Sequence, residues 1–235
     1  MRERAERGAD LVKIMASGGG NTPGTDAARP QFGVEELRVV VDQAHALGLS
    51  VTAHAHALAA IENALAAGVD ALEHCTFITE TGVRVSHTVV ARLVASGIPV
   101  CPTLGIAAGA TPPPAVLEMM RKAGMSYDSQ VRTAGELHRA GVRVVSGSDG
   151  GISPGKPHGI APDAVIHLVD GGVSASDALA CATSLAAAAC GVADRKGRIG
   201  AGLDADLLLV DGDPLADITA LRHVRAVYLR GRRCV

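Results

Sequence analysis

The chain has 235 residues, 22 of them basic and 24 acidic, for a formal net charge of −2, and only 2% are aromatic. That balance offers neither a basic field to neutralise phosphates nor aromatic platforms for stacking bases, so nucleic acid is excluded as an expected partner. There is no run of ~18 uninterrupted apolar residues to span a bilayer and no charged-then-apolar leader. Cys75, Cys101, Cys181, Cys190 and Cys234 lack C-x-x-C spacing. The expectation is a cytoplasmic protein with no membrane contact, whose thiols are reduced and mostly small core residues.

In chain order, residues 1–10 (MRERAERGAD) read as the tail of an amphipathic helix. A repeated punctuation follows, in which a helix-like stretch closes on glycine and an apolar run begins shortly after. It occurs at Gly8 before LVKIMAS, Gly48 before SVTAHA, Gly68 before ALEHC, Gly97 before PVCPTL and Gly141 before VRVVSGSD. Glycine is favoured just past a helix because that position often needs a left-handed backbone. Five such units in series predict an α/β fold with a parallel sheet.

Residues 34–47 place Leu37, Val40, Val41, Ala44 and Leu47 at helical spacing, and residues 57–67 predict a shorter, alanine-rich helix. Ser174 and Asp177 have the spacing of a capping box before a helix over 178–190. Three loops rich in Gly and Pro, at 17–33, 105–114 and 150–162, leave the carboxyl ends of strands, the face where parallel α/β folds bind ligands. From Lys196 the texture changes: LLLVDGDP and VRAVYLRG predict short strands of a satellite sheet, which divides the chain into residues 1–195 and 196–235.

Ionisable residues cluster at the ends of the predicted strands. Alternation along Val51-Thr52-Ala53-His54-Ala55-His56 puts Thr52, His54 and His56 on one face. His74 ends the next strand, in LEHC, and Asp149 ends the last, in SGSDGG. Lys13 lies within the apolar run 11–16, where burial of its charge would be costly; an ion-paired or snorkelling lysine is the alternative. Neutral imidazole and carboxylate are ligands that Zn²⁺ and similar ions take, so one ionisable group on each of four strand ends is a metal-site pattern.

VKIMASGGGNTPGTD, VTAHAH, ALEHC and SGSDGG, in this order and spacing, resemble the amidohydrolase superfamily, particularly its imidazolonepropionase-related and Xaa-Pro-dipeptidase-like branch. GRIGAGLDADLLLVDGDPL and VRAVYLRGR resemble its closing β-segment. The resemblance implies a TIM-like (β/α)₈ barrel holding one or two divalent metals, zinc the expected ion, at its C-terminal mouth. By the same resemblance Lys13 ends strand four and is carboxylated into an anionic ligand, which would resolve its burial. His54 and His74 are then the ligands of strands five and six, and Asp149 the strand-eight ligand that also moves the proton. The 20-residue gap to His74 favours His54 over His56 as ligand and leaves His56 a bystander or a neighbour of the substrate.

One departure stands beside the match. Members of the superfamily supply a His-x-His pair ahead of the lysine, whereas the only one here, His54-Ala-His56, follows Lys13. The expectation is therefore a partial barrel, strands four to eight, from a longer enzyme or a truncated reading frame, binding at most one metal well. The implied activity is metal-dependent hydrolysis of a carbon–nitrogen bond in a small cyclic or dipeptide-like amide, with deamination as the alternative chemistry. A non-catalytic remnant that self-associates through an open barrel edge is the contrasting class. His158 and Arg29 are candidates for holding a substrate carboxylate.

Overall fold

A computed structural model describes residues 1–235. The short α1 (Arg2–Glu6) leads into β1 (Leu11–Met15), and the first long loop ends at α2 (Val34–His45). Glu36 accepts the Gly33 amide proton at 2.8 Å, satisfying one donor at the helix entry, and Leu37, Val41 and Ala44 form the buried stripe. β2 (Ser50–Ala57) runs directly into α3 (Leu58–Ala67), followed by β3 (Ala71–Thr79), the short β4 (Gly82–Val83) and α4 (His87–Ser96). Both α3 and α4 end on left-handed glycines, Gly68 at φ 85° and Gly97 at φ 65°, as the punctuation predicts. After β5 (Val100–Cys101) come α5 (Pro114–Lys122), α6 (Tyr127–Arg139), α7 (Ala161–Asp170), α8 (Ala175–Ala182) and α9 (Ser184–Ala189). β6 (Leu207–Val210), a 3₁₀ turn (Ile218–Arg222), β7 (Val224–Leu229) and β8 (Arg232–Arg233) close the chain.

β1, β2, β3 and β5 are parallel neighbours in that order, with β4 folded back antiparallel on the end of β3. This is the expected α/β class, and the sheet is open. Val51, Ala53 and Ala55 of β2 share one buried cluster with Leu37 of α2, Ile61 of α3 and Leu72 of β3, so one face of the sheet is sealed by helices. Lys13 departs from its expected burial. β1 pairs with β2 alone, and the lysine in the middle of this edge strand is exposed, its charge still in water.

Other expectations are revised by local bonding. The strand predicted after Gly141 is reduced to a single parallel bridge, Val144 to Val100, because the Ser146 amide turns away to the Cys181 carbonyl of α8 at 2.9 Å. The helix predicted over 178–190 breaks at Thr183 (φ −123°, ψ −90°), whose hydroxyl donates to the Leu179 carbonyl at 2.6 Å. Ser174 caps α8 by accepting the Asp177 amide proton, but the Asp177 carboxylate accepts from the Ser174 hydroxyl instead of its backbone. Of the five thiols only Cys75 and Cys181 are buried, so most are not core residues. β6, β7 and β8 form the separate antiparallel sheet foreseen after Lys196, and its β7–β8 hairpin turns on left-handed Arg230 and Gly231. No helix is long and apolar enough to cross a membrane.

Candidate metal centre

β2 presents its histidines by simple alternation. His54 and His56, only 6% and 7% exposed, lie on the face opposite Val51, Ala53 and Ala55. β3 cannot present His74 that way. The parallel register pairs His54 with Glu73 and Ala55 with His74, so in a regular strand His74 would share the helix-packed face of Ala55. Instead His74 (φ 69°), Cys75 (φ 50°) and Phe77 (φ 56°) are left-handed. Cys75, Thr76 and Phe77 lie opposite His56 alone before the register resumes at Ala57–Ile78. This bulge re-aims the His74 ring toward the other two. Ring centroids are 4.6 Å apart for His54–His56, 4.4 Å for His54–His74 and 4.5 Å for His56–His74. One nitrogen from each ring falls within 4.8 Å of the others.

Each imidazole is oriented by a partner on one nitrogen. His56 Nδ1 bonds the Thr76 hydroxyl at 2.9 Å, His74 Nδ1 bonds the Thr103 hydroxyl at 2.7 Å, and His54 Nε2 donates to the Gly18 carbonyl at 3.1 Å. That last contact requires glycine. A Cβ on Gly18 would come within 2.4 Å of the Asp26 backbone, and one on Gly19 within 3.1 Å of the His54 ring. Burial keeps the rings neutral. It lowers His54 with help from the Lys13 charge, lowers His56 to about 3 with help from His54, and holds His74 well below the usual range with help from both neighbours. Neutral imidazoles with one nitrogen tied and the other free are the donor form that divalent cations of the zinc type accept, so the residues present fit such an ion.

A chamber of about 320 Å³ lies over the rings, and all three of the predicted ligand loops contribute to it through residues such as Gly19, Ile106 and Ser153. Lys13 and Asp149 also line it, although Asp149, exposed and left-handed at φ 52°, stands outside the trio of converging nitrogens. Thus the structure groups His56 with His54 and His74 more tightly than it groups either Lys13 or Asp149 with them. Arg29 and His158 do not line the chamber: Arg29 pairs with Glu80 at 2.9 Å, and the exposed His158 lies against Gly151.

Sequence reasoning missed three lining or supporting groups. Lys156, within the third loop, donates its ammonium protons to the carbonyls of Thr103 and Ser148 (2.8 Å), and burial lowers its pKa. It therefore ties the residue that orients His74 to the residue preceding Asp149. Glu73 accepts from Thr52 at 2.9 Å on the histidine face, and beside it burial lifts the Cys101 thiol to about 12. Tyr127 lines the chamber with its hydroxyl between the Gly105 amide (2.7 Å) and His167 Nδ1 (2.8 Å). Glu73 had a signal, being adjacent to His74, whereas nothing in a Gly/Pro-rich loop marks Lys156 as half-buried.

The amidohydrolase family profile matches residues 1–234, and the chain belongs to that family. It is 29% identical over 228 residues to ochratoxinase of Aspergillus niger, which covers 97% of this chain and 46% of that protein. It is 34% identical over 242 residues to an uncharacterized protein of Mycobacterium tuberculosis, covering 98% of this chain and 59% of that one. Its structure is similar to that of a Xaa-Pro dipeptidase crystallised with methionine in the active site, with TM-score 0.83, 29% identity, and coverage of 99% of this chain and 56% of the other. The chain spans about half the length of the curated relatives it matches.

Proposed function

We propose that this chain carries a metal site of a hydrolase that cleaves a carbon–nitrogen bond in a small cyclic or dipeptide-like amide. The observation that carries the reading is the convergence of three neutral imidazoles within 4.8 Å, from two adjacent parallel strands, beneath a chamber built by the strand-end loops. Family membership and the likeness to a dipeptidase support it. In this reading β1, β2, β3, β5 and the Val144 bridge are strands four to eight of a TIM-like barrel. Residues 1–195 form that part, and residues 196–235 belong to the satellite β-structure.

His54 and His74, with Lys13 once its amine is carboxylated, form the ligand set; carboxylation turns a donor-only ammonium into an anionic acceptor. A divalent ion held there, zinc the expected one, would supply Lewis acidity for carbonyl polarisation and water activation. Asp149, at the chamber wall, takes a proton from the attacking water and returns it to the departing nitrogen, besides serving as a ligand. His56 keeps its ring fixed through Thr76 and turns its free nitrogen toward substrate. Lys13, His54 and His74 make up one ligand set, so one tightly held ion per chain is expected.

Zinc titration of metal-depleted protein tests the centre: one ion should bind, and His54→Ala or His74→Ala should abolish stoichiometric binding. Two tightly held ions, or none, would overturn the assignment. His56→Ala should retain the ion; its loss would move His56 from substrate neighbour to ligand. Turnover is assayed across dipeptides, lactams, imidazolones and, for deamination, amidine-type substrates, with Asp149→Asn as the inactive control. A folded, zinc-loaded protein that turns over none of them would remove the enzymatic reading. One observation favours a second reading, self-association: β1 is an open edge whose Leu11 is 48% exposed. Light scattering should then show a dimer that Leu11→Lys disperses.

A further inference from the structure

The chain is poor in aromatic side chains, with two Phe, two Tyr and no Trp, and it has five Met. Apart from Met1, every methionine lines the chamber above the histidines, Met15, Met119, Met120 and Met125, although the last three also border neighbouring clefts. They come from three separate places in the chain, β1, α5 and the turn after α5, so their convergence is a product of the fold.

α5 is the unusual part of this wall. It contributes no fully buried residue. Yet Val116, Met119 and Met120, at i, i+3 and i+4, make an apolar stripe on its chamber side, while Glu118, Arg121 and Lys122 carry its charge. Gly20 brings the first loop close against that stripe: a Cβ there would stand 3.1 Å from Val116 Cγ2 and 3.3 Å from the Met119 sulfur. The wall is also continuous with the candidate centre. Met15 pairs in register with His54, so both side chains leave the sheet on the same face. Histidines therefore floor the chamber and flexible thioethers wall it. Methionine is unbranched and polarizable, which suits contact with apolar groups of varied shape.

The geometry points to a substrate subsite: the methionine wall, from Met15 to α5, receives an alkyl or aryl substituent of the amide whose reacting carbon sits over the histidines. The naming of the ligand as an amide rests on the hydrolase reading; the apolar subsite rests on the wall alone. Specificity then lies in the amide's substituent, and small amides lacking one are poor ligands.

The test uses zinc-loaded protein labelled with ¹³C at the methionine methyls and the homologous probes N-methylacetamide, N-methylbutanamide and N-methylhexanamide. The signals of Met15, Met119, Met120 and Met125, assigned by single Met→Leu variants, should shift on titration while that of Met1 stays put. Affinity should rise about fourfold for each methylene added. Met120→Glu should flatten that rise and Met120→Leu should preserve it, with an unchanged Met15 signal in both variants showing that the sheet is intact. Equal affinity for all three probes, or shifts at Met1 as large as at the chamber, would overturn the subsite. So would α5 methyl shifts that follow protein concentration without any amide, since a second copy would then cover the wall. A chain-length dependence with no turnover of any amide leaves the subsite standing and sinks the hydrolase reading; turnover with no such dependence does the reverse.

Discussion

β2 and β3 lie side by side in one parallel sheet and serve one cluster of rings, but they reach it through different backbones. β2 pairs regularly with its neighbours up to Ala55, and the period of two carries His54 and His56 to the chamber with no special geometry. β3 is regular only as far as Glu73; its next residue is left-handed, and the chain then uses Cys75, Thr76 and Phe77 to advance past His56. A non-glycine residue held at positive φ costs on the order of 1–3 kcal/mol, which the surrounding packing and the Thr103 hydrogen bond must offset. The pair teaches that a ring can be positioned by strand periodicity or by a defect in it, and that the second way makes position and backbone strain one property.

The largest effect expected to probe this comparison is on acid stability of the metal-free protein. Burial lowers the pKa of both His56 on β2 and His74 on β3. Between the unfolded value near 6.5 and the folded value of about 3 for His56, the unfolded chain binds a proton that the native chain does not. Stability is therefore highest above about pH 6.5 and is lost as pH falls toward 3, by up to about 5 kcal/mol for a full shift of this size. Denaturation midpoints measured across that range should show the slope, and His56→Gln should flatten it. A slope unchanged in that variant would mean that the ring is not held neutral.

Valine scanning comes next. At His54 a β-branched residue suits the extended backbone, whereas at His74 it meets φ 69°. His74→Val should be less stable than His54→Val by about 1–3 kcal/mol in chemical denaturation. His74→Gly should recover the deficit while still losing zinc, and equal stability of the two valine variants would argue against the bulge. Thr103→Ala, which frees the His74 ring, should weaken zinc binding about 10–100-fold by calorimetry. Thr76→Ala should weaken it far less, and equal losses would place His56 among the ligands. The smallest effect is below the bulge, where the strands are alike. Thr52→Val removes the 2.9 Å bond to Glu73 and should cost about 1 kcal/mol with zinc affinity intact.

Much of this site was legible before the fold was seen. The alternation through His54 and His56 and the three Gly/Pro-rich loops each foretold a feature of the chamber. Asp149 was expected to end a strand, but pairing stops at the Val144 bridge, and aspartate is among the residues that tolerate the left-handed turn found there. What misled were segments whose backbone bonds go elsewhere than their composition suggests. Residues 142–148 have strand composition, yet Ser146 bonds to α8. Thr183 lies in an alanine-rich stretch, yet it breaks the helix there. Lys13 sits in an apolar run, yet it lies on an edge strand and stays in solvent.

The sequence by itself determined the α/β class, the order of the elements and the residue types able to hold a divalent ion, because helix ends, strand periodicity and ligand chemistry are local properties. Tertiary structure alone decided that His74 turns toward His54 and His56, that Lys156 links the Thr103 and Ser148 carbonyls, and that four methionines share one wall. Each of those depends on pairing register or on contacts between residues far apart in the chain. A register is set by what packs on both faces of a sheet, and no short window of sequence contains both.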